Sequence, residues 1–256
     1  MINYTKKIIL IVILIFTFGC ESNQTIKIGF SGDLSGGRVE LGLAMRNGVM
    51  LAVDEINASG GIFGKPLELI VKDDLGDPET ALAVDQELIE AEVAAIIGHV
   101  TSTQTLAVFD YINSTDTLLI APSTTSTRFT GLDDNLLRVV LDSRTLSAGL
   151  AEHIFKAYGT DKVAAVFGQG NDEFVHSFLD GFTERFESLG GEVVDVLEMG
   201  SEIEDIREVA AELKANGYEY ILANTDAYDL ALLAQYSDQI DYHPHWLSSV
   251  WAGTNE

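Results

Sequence analysis

The stretch Ala94–Gln104, AAIIGHVTSTQ, is a short apolar run that ends in small hydroxyl residues, and Leu118–Thr125, LLIAPSTT, has the same design. An apolar run of this length that stops at turn residues is typical of a buried parallel strand. Thr101 and Gln104 have the spacing of a capping box, which predicts that a helix begins directly after the first run. The two stretches therefore predict an α/β fold whose helices begin at the carboxyl ends of parallel strands.

The same two stretches indicate a place for a negatively charged group. With Thr101 as the N-cap, the backbone N–H groups of Ser102 and Thr103 lie at the positive end of the helix dipole and lack helical partners. Hydroxyl groups of Ser102, Ser123 and Thr125 follow two strand ends, which is where ligands bind in open α/β sheets. We expect a small anionic or zwitterionic ligand there, bound through its carboxylate and not transformed.

Strand and helix patterns alternate along the rest of the chain in two successive sets. This alternation predicts two doubly wound parallel-sheet lobes joined by short hinge strands. We place an N-terminal lobe at 25–141, a C-terminal lobe at 142–248, and the start of a return to the first lobe at 249–256. In the second set, four phenylalanines spaced four residues apart favour a core stripe over a cofactor site, namely Phe174, Phe178, Phe182 and Phe186.

The first twenty residues have the pattern of a secretory signal. Lys6 and Lys7 precede the apolar run Ile8–Phe18, which is too short to span a membrane and ends at Gly19-Cys20. The end of this run resembles the lipobox of bacterial lipoproteins, although a plain signal with a chance cysteine is the alternative. We therefore predict a signal peptide at 1–19, a lipidated tether at 20–24 with Cys20 acylated, and a lipid-anchored protein of the cell envelope that faces the periplasm or the exterior.

Composition and missing motifs narrow the function further. The chain carries 15 Lys+Arg against 40 Asp+Glu, a formal charge of −25, which argues against nucleic acid as a partner. Neither the glycine-rich turn after Phe30 nor any other segment matches a nucleotide-binding or hydrolase motif. His243 and His245 have no nearby third ligand for a metal. We expect no catalytic residue, no metal and no cofactor.

Five motifs together resemble the leucine/isoleucine/valine-binding family of type I periplasmic binding proteins: Ile26–Gly37, Asp54–Leu67, Asp73–Ala81, Ile97–Ser102 and Ile120–Thr125. The resemblance implies a substrate-binding lipoprotein that delivers an amino acid or amide to an ABC permease complex after hinge closure. Members of that family cross between lobes three times. This chain reaches a second crossover near Ser248 and lacks the third, so we expect either a fragment or a truncated gene product, with uncovered sheet edges.

The resemblance also implies site residues. It places the ligand carboxylate on Ser102 and Thr125 with main chain near Ser123, and the ligand ammonium on Asp226 or Asp142. Asp226 is equally well explained as a helix cap, and Trp251 would supply an apolar wall. The residues expected at the ligand are Ser102, Thr103, Ser123, Thr124, Thr125, Asp142, Asp226 and Trp251.

The sequence also departs from the family pattern. Leu41 stands where leucine-specific proteins carry Trp, and Gly170-Asn171 replace a ligand-stacking aromatic. Two other functions stay open at this stage: a ligand-sensing regulatory module that is not coupled to transport, and an enzyme of doubly wound fold.

Overall fold

The computed structural model describes residues 25–200 and 202–253. The predicted signal peptide at 1–19, the lipidation site Cys20, the tether at 20–24 and the end of the predicted return segment lie outside these residues. Within the two described ranges, no helix combines the length and the apolar character needed to cross a bilayer.

The first lobe contains a five-stranded parallel sheet with the strand order β2-β1-β3-β4-β5. Its strands alternate with helices, as the sequence predicts for a doubly wound sheet. The strands are β1 (Ile26–Gly32), β2 (Leu67–Asp73), β3 (Ala95–Ile97), β4 (Leu118–Ala121) and β5 (Leu136–Arg138), and the helices are α1 (Val39–Ala58), α2 (Pro78–Glu90) and α3 (Ser102–Asn113).

The second lobe contains a four-stranded parallel sheet with the order β7-β6-β8-β9. The chain passes from β5 of the first sheet to this lobe through residues 139–142, so the prediction of two parallel-sheet lobes is confirmed. The strands are β6 (Lys162–Gly168), β7 (Glu192–Met199), β8 (Tyr220–Asn224) and β9 (His245–Ser248), and the helices are α4 (Ser143–Tyr158), α5 (Asp172–Ser188), α6 (Ile203–Asn216) and α7 (Ala227–Gln239).

The phenylalanine stripe of α5 forms the core of the second lobe, as predicted. All four rings are buried, and the rings of Phe182 and Phe186 stack with centroids 5.3 Å apart. They pack against α4 through Ala151 and Ile154, and Trp251 joins the same cluster. Each buried aromatic ring removes a large apolar area from water, so this cluster is a major source of hydrophobic stabilisation for the lobe.

Helix α1 is less buried than its sequence pattern predicts. The near-helical spacing of Met45, Val49, Val53 and Ile56 in the sequence predicts a core stripe, but only Val53 is buried and Ile56 is 36% exposed. The helix makes its main contacts with β1 and β2, and one side of the stripe faces solvent. Packing against a single layer therefore limits how much of an amphipathic helix is covered.

The edge of the first sheet beyond β5 carries apolar side chains in solvent. Leu137, Val139 and Leu141 are 52%, 70% and 60% exposed. Exposed apolar side chains at a sheet edge are a feature that natural sheets usually avoid.

The turn between β1 and α1 is closed by Asp33. Its carboxylate accepts hydrogen bonds from the backbone N–H groups of Gly36, at 2.5 Å, and Arg38, at 2.7 Å. Gly42 lies against the same turn, because a Cβ atom added there would stand 1.6 Å from the Asp33 carbonyl oxygen. Only glycine lets α1 approach the turn this closely.

A buried charge network joins three elements of the first lobe. His99, which follows β3, lies between Asp74 after β2 and Asp85 on α2, with Nδ1 2.9 Å from Asp74 Oδ2 and Nε2 3.2 Å from Asp85 Oδ2. All three residues are 0% exposed. Burial by itself lowers the pKa of His99, but the charges and hydrogen bonds of Asp85 and Asp74 outweigh it and raise the pKa to about 9. The imidazole is therefore a buried cation at neutral pH.

We expect Gly42→Ala to destabilise the protein by about 2 kcal/mol or more, because the new methyl group forces α1 away from the Asp33 turn. Gly48→Ala on the same helix is the matched control, since nothing lies within 4 Å of its Cβ position. That change should stabilise the protein by about 0.5–1 kcal/mol through helix propensity. Urea denaturation measures both, and equal effects of the two substitutions would contradict the close approach.

The raised pKa of His99 predicts a pH-dependent stability. A folded pKa above the unfolded value of 6.5 stabilises the protein fully below pH 6.5, and the contribution is lost as the pH rises through about 9. The loss is about 3 kcal/mol for a shift of this size. Chemical denaturation between pH 6 and 10 should show this decline, His99→Gln should remove it, and replacement of the exposed His153 by Gln should retain it. An NMR titration of His99 with a pKa near 6.5 would refute the charged network.

Candidate ligand-binding site

The capping box predicted at the start of α3 is present. Thr101 Oγ1 accepts a hydrogen bond from the Gln104 backbone N–H at 3.2 Å, and Gln104 Oε1 accepts one from the Thr101 N–H at 3.1 Å. Thr101 is the N-cap, as expected. The start of α3 therefore lies at the carboxyl end of β3, with its positive dipole end directed to the same edge of the sheet.

The predicted hydroxyl residues from the two strand ends lie together. Ser102 Oγ accepts hydrogen bonds from the backbone N–H groups of Thr125, at 3.2 Å, and Ser126, at 3.3 Å. Ser123 Oγ donates to the Val100 carbonyl oxygen at 2.8 Å. These bonds fix the segment after β4 against the start of α3, so Ser102 acts on this edge mainly by holding Thr125 in place.

A cavity of about 170 Å³ lies at this edge, between the two lobes. Three of the predicted residues line it: Ser123 and Thr125 from the first lobe, and Trp251 from the segment after β9. The remaining lining combines apolar side chains with few polar ones, which is typical of a site for a small molecule with an apolar part. The full lining is Arg38, Leu41, Val100, Thr101, Ser123, Thr125, Asn171, Phe174, Val250 and Trp251.

Three predicted residues on the first lobe lie beside this cavity without lining it. Ser102 is buried, and Thr124 Oγ1 is 2.6 Å from Thr105 Oγ1 within the lobe. Thr103 Oγ1 accepts a hydrogen bond from the Glu173 backbone N–H at 3.3 Å, so it connects the start of α3 to the start of α5. Thr103 therefore joins the two lobes next to the cavity.

Asp142 lies away from this lining, at the start of α4. Its carboxylate caps the helix by accepting from the Thr145 N–H at 2.8 Å, and it accepts from Thr130 Oγ1 at 3.1 Å. Burial raises the pKa of this carboxyl, but these hydrogen bonds and the charge of Arg138 outweigh burial and hold the pKa below its ordinary value. The observed contacts of Asp142 are those of a helix cap, and an ammonium contact stays a prediction.

Asp226 caps α7, where its Oδ1 accepts from the Asp229 N–H at 2.9 Å. It also lines a second cavity, of about 310 Å³, together with Gly37–Leu41, Tyr228 and Trp251. Burial, and next the charge of Asp226, raise the pKa of the neighbouring Asp229 to about 6. Asp226 therefore caps α7 and also lines the 310 Å³ cavity, and the two roles that the sequence analysis considered for it are compatible.

Sequence reasoning missed Arg38, which lines both cavities. Its guanidinium carbon lies 5.3 Å from the centroid of the Trp251 ring, so the two side chains form the wall between the cavities. Phe174 on α5 was also missed as a lining residue, whereas Leu41 and Asn171 occupy positions that the sequence analysis had associated with ligand contacts. No local pattern could reveal this role of Arg38, because its ring partner Trp251 comes from a distant part of the chain.

Two larger cavities lie at the opposite edge of the second sheet. They have volumes of about 470 and 540 Å³ and lie beside the amino ends of strands β6, β8 and β9. Ligands of open α/β sheets bind beyond the carboxyl ends instead, so the cleft that contains Thr125 and Trp251 is the candidate site. The described residues contain no group of three or more His, Cys, Asp or Glu side chains arranged to hold a metal ion.

Comparisons with known proteins agree with this architecture. A leucine-, isoleucine-, valine-, threonine- and alanine-binding protein of Pseudomonas aeruginosa is 24% identical over 91% of this chain and 62% of its own length. The branched-chain amino acid transporter substrate binding protein of Streptococcus pneumoniae, solved with isoleucine, superposes with a TM-score of 0.77 at 25% identity, over 88% of this chain and 64% of that protein.

A fatty acid ABC transporter substrate-binding protein of Thermomonospora curvata is similar to the same degree, with a TM-score of 0.78 and 25% identity over 90% of this chain. This chain spans 58% of that protein, and less than two thirds of each of the three relatives. Residues 25–256 match the family described as periplasmic binding protein. The fold, the matched residues and the relatives agree, and the chain belongs to the periplasmic binding protein family.

Proposed function

We infer that this protein is an extracytoplasmic substrate-binding lipoprotein of an ABC importer. It would hold a small amino acid-like ligand, such as a branched-chain amino acid, another amino acid or an amide, between its lobes. The observation that carries this proposal is the cavity of about 170 Å³ at the carboxyl ends of β3 and β4, lined from both lobes. The names of the Pseudomonas and Streptococcus relatives support an amino acid-like ligand.

The first lobe supplies the seat for the ligand carboxylate. Ser143 Oγ donates its hydrogen to both the carbonyl oxygen of Thr125, at 2.9 Å, and its Oγ1, at 3.0 Å. In this proposal the Thr125 hydroxyl keeps its own hydrogen for a ligand in the cavity that it lines. The start of α3, at the N-cap Thr101, adds its positive dipole end. Hydrogen bonds to a carboxylate are stronger than bonds between neutral groups, so this seat would take the ligand first.

The second lobe closes the cleft in this proposal. Phe174 and Trp251 contact each other edge to face, with ring centroids 5.9 Å apart, and both line the cavity. Movement of these rings onto a ligand that is already seated on the first lobe would remove it from water. Asp226 remains the candidate partner for a ligand ammonium, at the border of the neighbouring cavity.

The remaining parts of the proposal concern location and partners. Lipidation at Cys20 would tether the receptor outside the membrane next to its permease complex, and the lobes would comprise 25–141 and 142–248 with a return beginning at 249. The similar proteins named above are binding proteins, which supports binding without turnover. The alternative function is a ligand-sensing regulatory receptor, which would bind its ligand in the same way. Uptake assays in cells distinguish the two functions, because only an importer subunit is needed for transport of the ligand.

We expect Thr125→Val to weaken ligand binding by about 1.5–3 kcal/mol, because the substitution removes one hydrogen bond to the charged carboxylate and keeps the side-chain shape. Isothermal titration of the purified chain with leucine, isoleucine, valine, glutamate and glutamine measures the affinity. Thermal denaturation verifies that the variant is folded.

Thr130→Val is the matched control for this substitution. Thr130 is exposed, bonds to Asp142 and does not line the cavity, so its replacement should leave affinity unchanged. Full affinity in Thr125→Val, or an equal loss in both variants, would place the carboxylate elsewhere.

A further inference from the structure

Arg38 carries a positive charge from the first lobe into the cleft. It precedes α1, and its side chain reaches the second lobe, because a Cβ atom added to Gly170 would lie 2.8 Å from its Nη2. The Nε atom is buried and has no hydrogen-bond partner among the described residues. A guanidinium has five N–H donors, and burying them without acceptors is costly.

Nearby carboxylates compensate this charge only from a distance. Burial lowers the pKa of Arg38, and the charges of the surrounding carboxylates raise it without contributing hydrogen bonds to it; these carboxylates are Asp226, Asp33, Asp229 and Asp172. Arginine stays protonated in proteins, so the cleft holds a permanent cation whose hydrogen-bonding groups are not fully used.

Asn171 is a second polar group in the same cavity with an unused atom. The residue is 8% exposed, and its buried Oδ1 has no partner among the described residues. It occupies the N-cap position of α5 but makes no capping hydrogen bond with its side chain. Buried polar atoms in native proteins are almost always satisfied, so an unused amide oxygen that lines a cavity indicates a hydrogen-bond donor on a bound ligand, such as a hydroxyl or an N–H group.

The charges of the lining define which ligands fit. Arg38 is the one charged residue among those that line the 170 Å³ cavity, and Asp226 lines the neighbouring cavity on the far side of the Arg38–Trp251 wall. A carboxylate in the 170 Å³ cavity therefore meets a cation, whereas an ammonium there meets neutral acceptors such as Asn171 Oδ1 and no carboxylate among the lining residues. A buried charge without a partner is rejected strongly.

We propose that Arg38 makes the cleft selective for ligands of net negative charge over zwitterions. This inference rests on the proposed binding function and narrows its ligand class. Such a ligand carries more carboxylate groups than ammonium groups, and one of its carboxylates pairs with the planar guanidinium of Arg38. Two sources have this chemistry: a monocarboxylate with an apolar body, and an amino acid with an acidic side chain.

Two matched pairs of ligands test the selectivity by isothermal titration of the purified chain. Leucine and 4-methylpentanoate differ by the ammonium group, and glutamate and glutamine differ by the side-chain charge. The anionic member of at least one pair should bind about 10-fold tighter or more. A preference within the leucine pair would identify the ligand class as monocarboxylates, and a preference within the glutamate pair would identify it as acidic amino acids.

Variants of Arg38 assign the preference to this side chain. Arg38→Met should remove the difference within the pair, and Arg38→Lys should retain part of it because the charge remains but the fork is lost. Arg46→Met, on the helix that Arg38 precedes, is the matched control. Arg46 bonds to the exposed Asn47 and lines neither cavity, so this variant should retain the full preference.

Three outcomes separate this inference from the function on which it rests. Equal or tighter binding of leucine and glutamine overturns the charge selection and leaves the proposed binding function in place. A preference that survives in a folded Arg38→Met variant also overturns it. Absence of binding by all four ligands overturns both the selection and the proposed amino acid-like ligand.

Discussion

The buried ion network around His99 is the constraint on which the ligand edge of the first lobe depends. His99 pairs with Asp74 and Asp85, and Gln104 Nε2 donates to Asp74 Oδ1 at 2.7 Å while the same side chain completes the capping box of α3. The carbonyl oxygen of His99 in turn accepts from Ser123 Oγ at 3.1 Å. The ends of β2, β3 and β4 and the start of α3 are thereby one hydrogen-bonded unit, and a network this deeply buried is costly to disturb.

Features whose partners are close in sequence could be predicted from the sequence. The capping box needs only Thr101 and Gln104, and the cap of α2 needs only Asp77, whose side chain accepts from the Thr80 N–H. The phenylalanine stripe of α5 depends on helical spacing alone. The proximity of Ser102 to Thr125 followed from the general geometry of parallel sheets, since neighbouring strands end at one edge.

Features that depend on the relation between lobes could not be predicted in this way. Arg38 contacts Trp251, which is more than two hundred residues further along the chain, and nothing local distinguishes it from a solvent-exposed arginine. The hydrogen bond by which Thr103 joins α3 to α5 could not be predicted either, because its partner Glu173 belongs to the other lobe. The incomplete burial of α1 likewise depends on which elements pack against it. The periodicity of the sequence shows only which face of the helix is apolar, and not whether that face is covered.

The contact between Arg38 and Trp251 gives the molecule an intrinsic optical probe. The chain has two tryptophans, and the other one, Trp246, packs on the opposite face of the second sheet. The indole of Trp251 contacts the guanidinium of Arg38 from the first lobe and the ring of Phe174 in the second lobe. Its fluorescence is therefore sensitive to the local electric field and to the entry of water. Changes in emission intensity or wavelength therefore report occupancy of the cleft and separation of the lobes without any attached label.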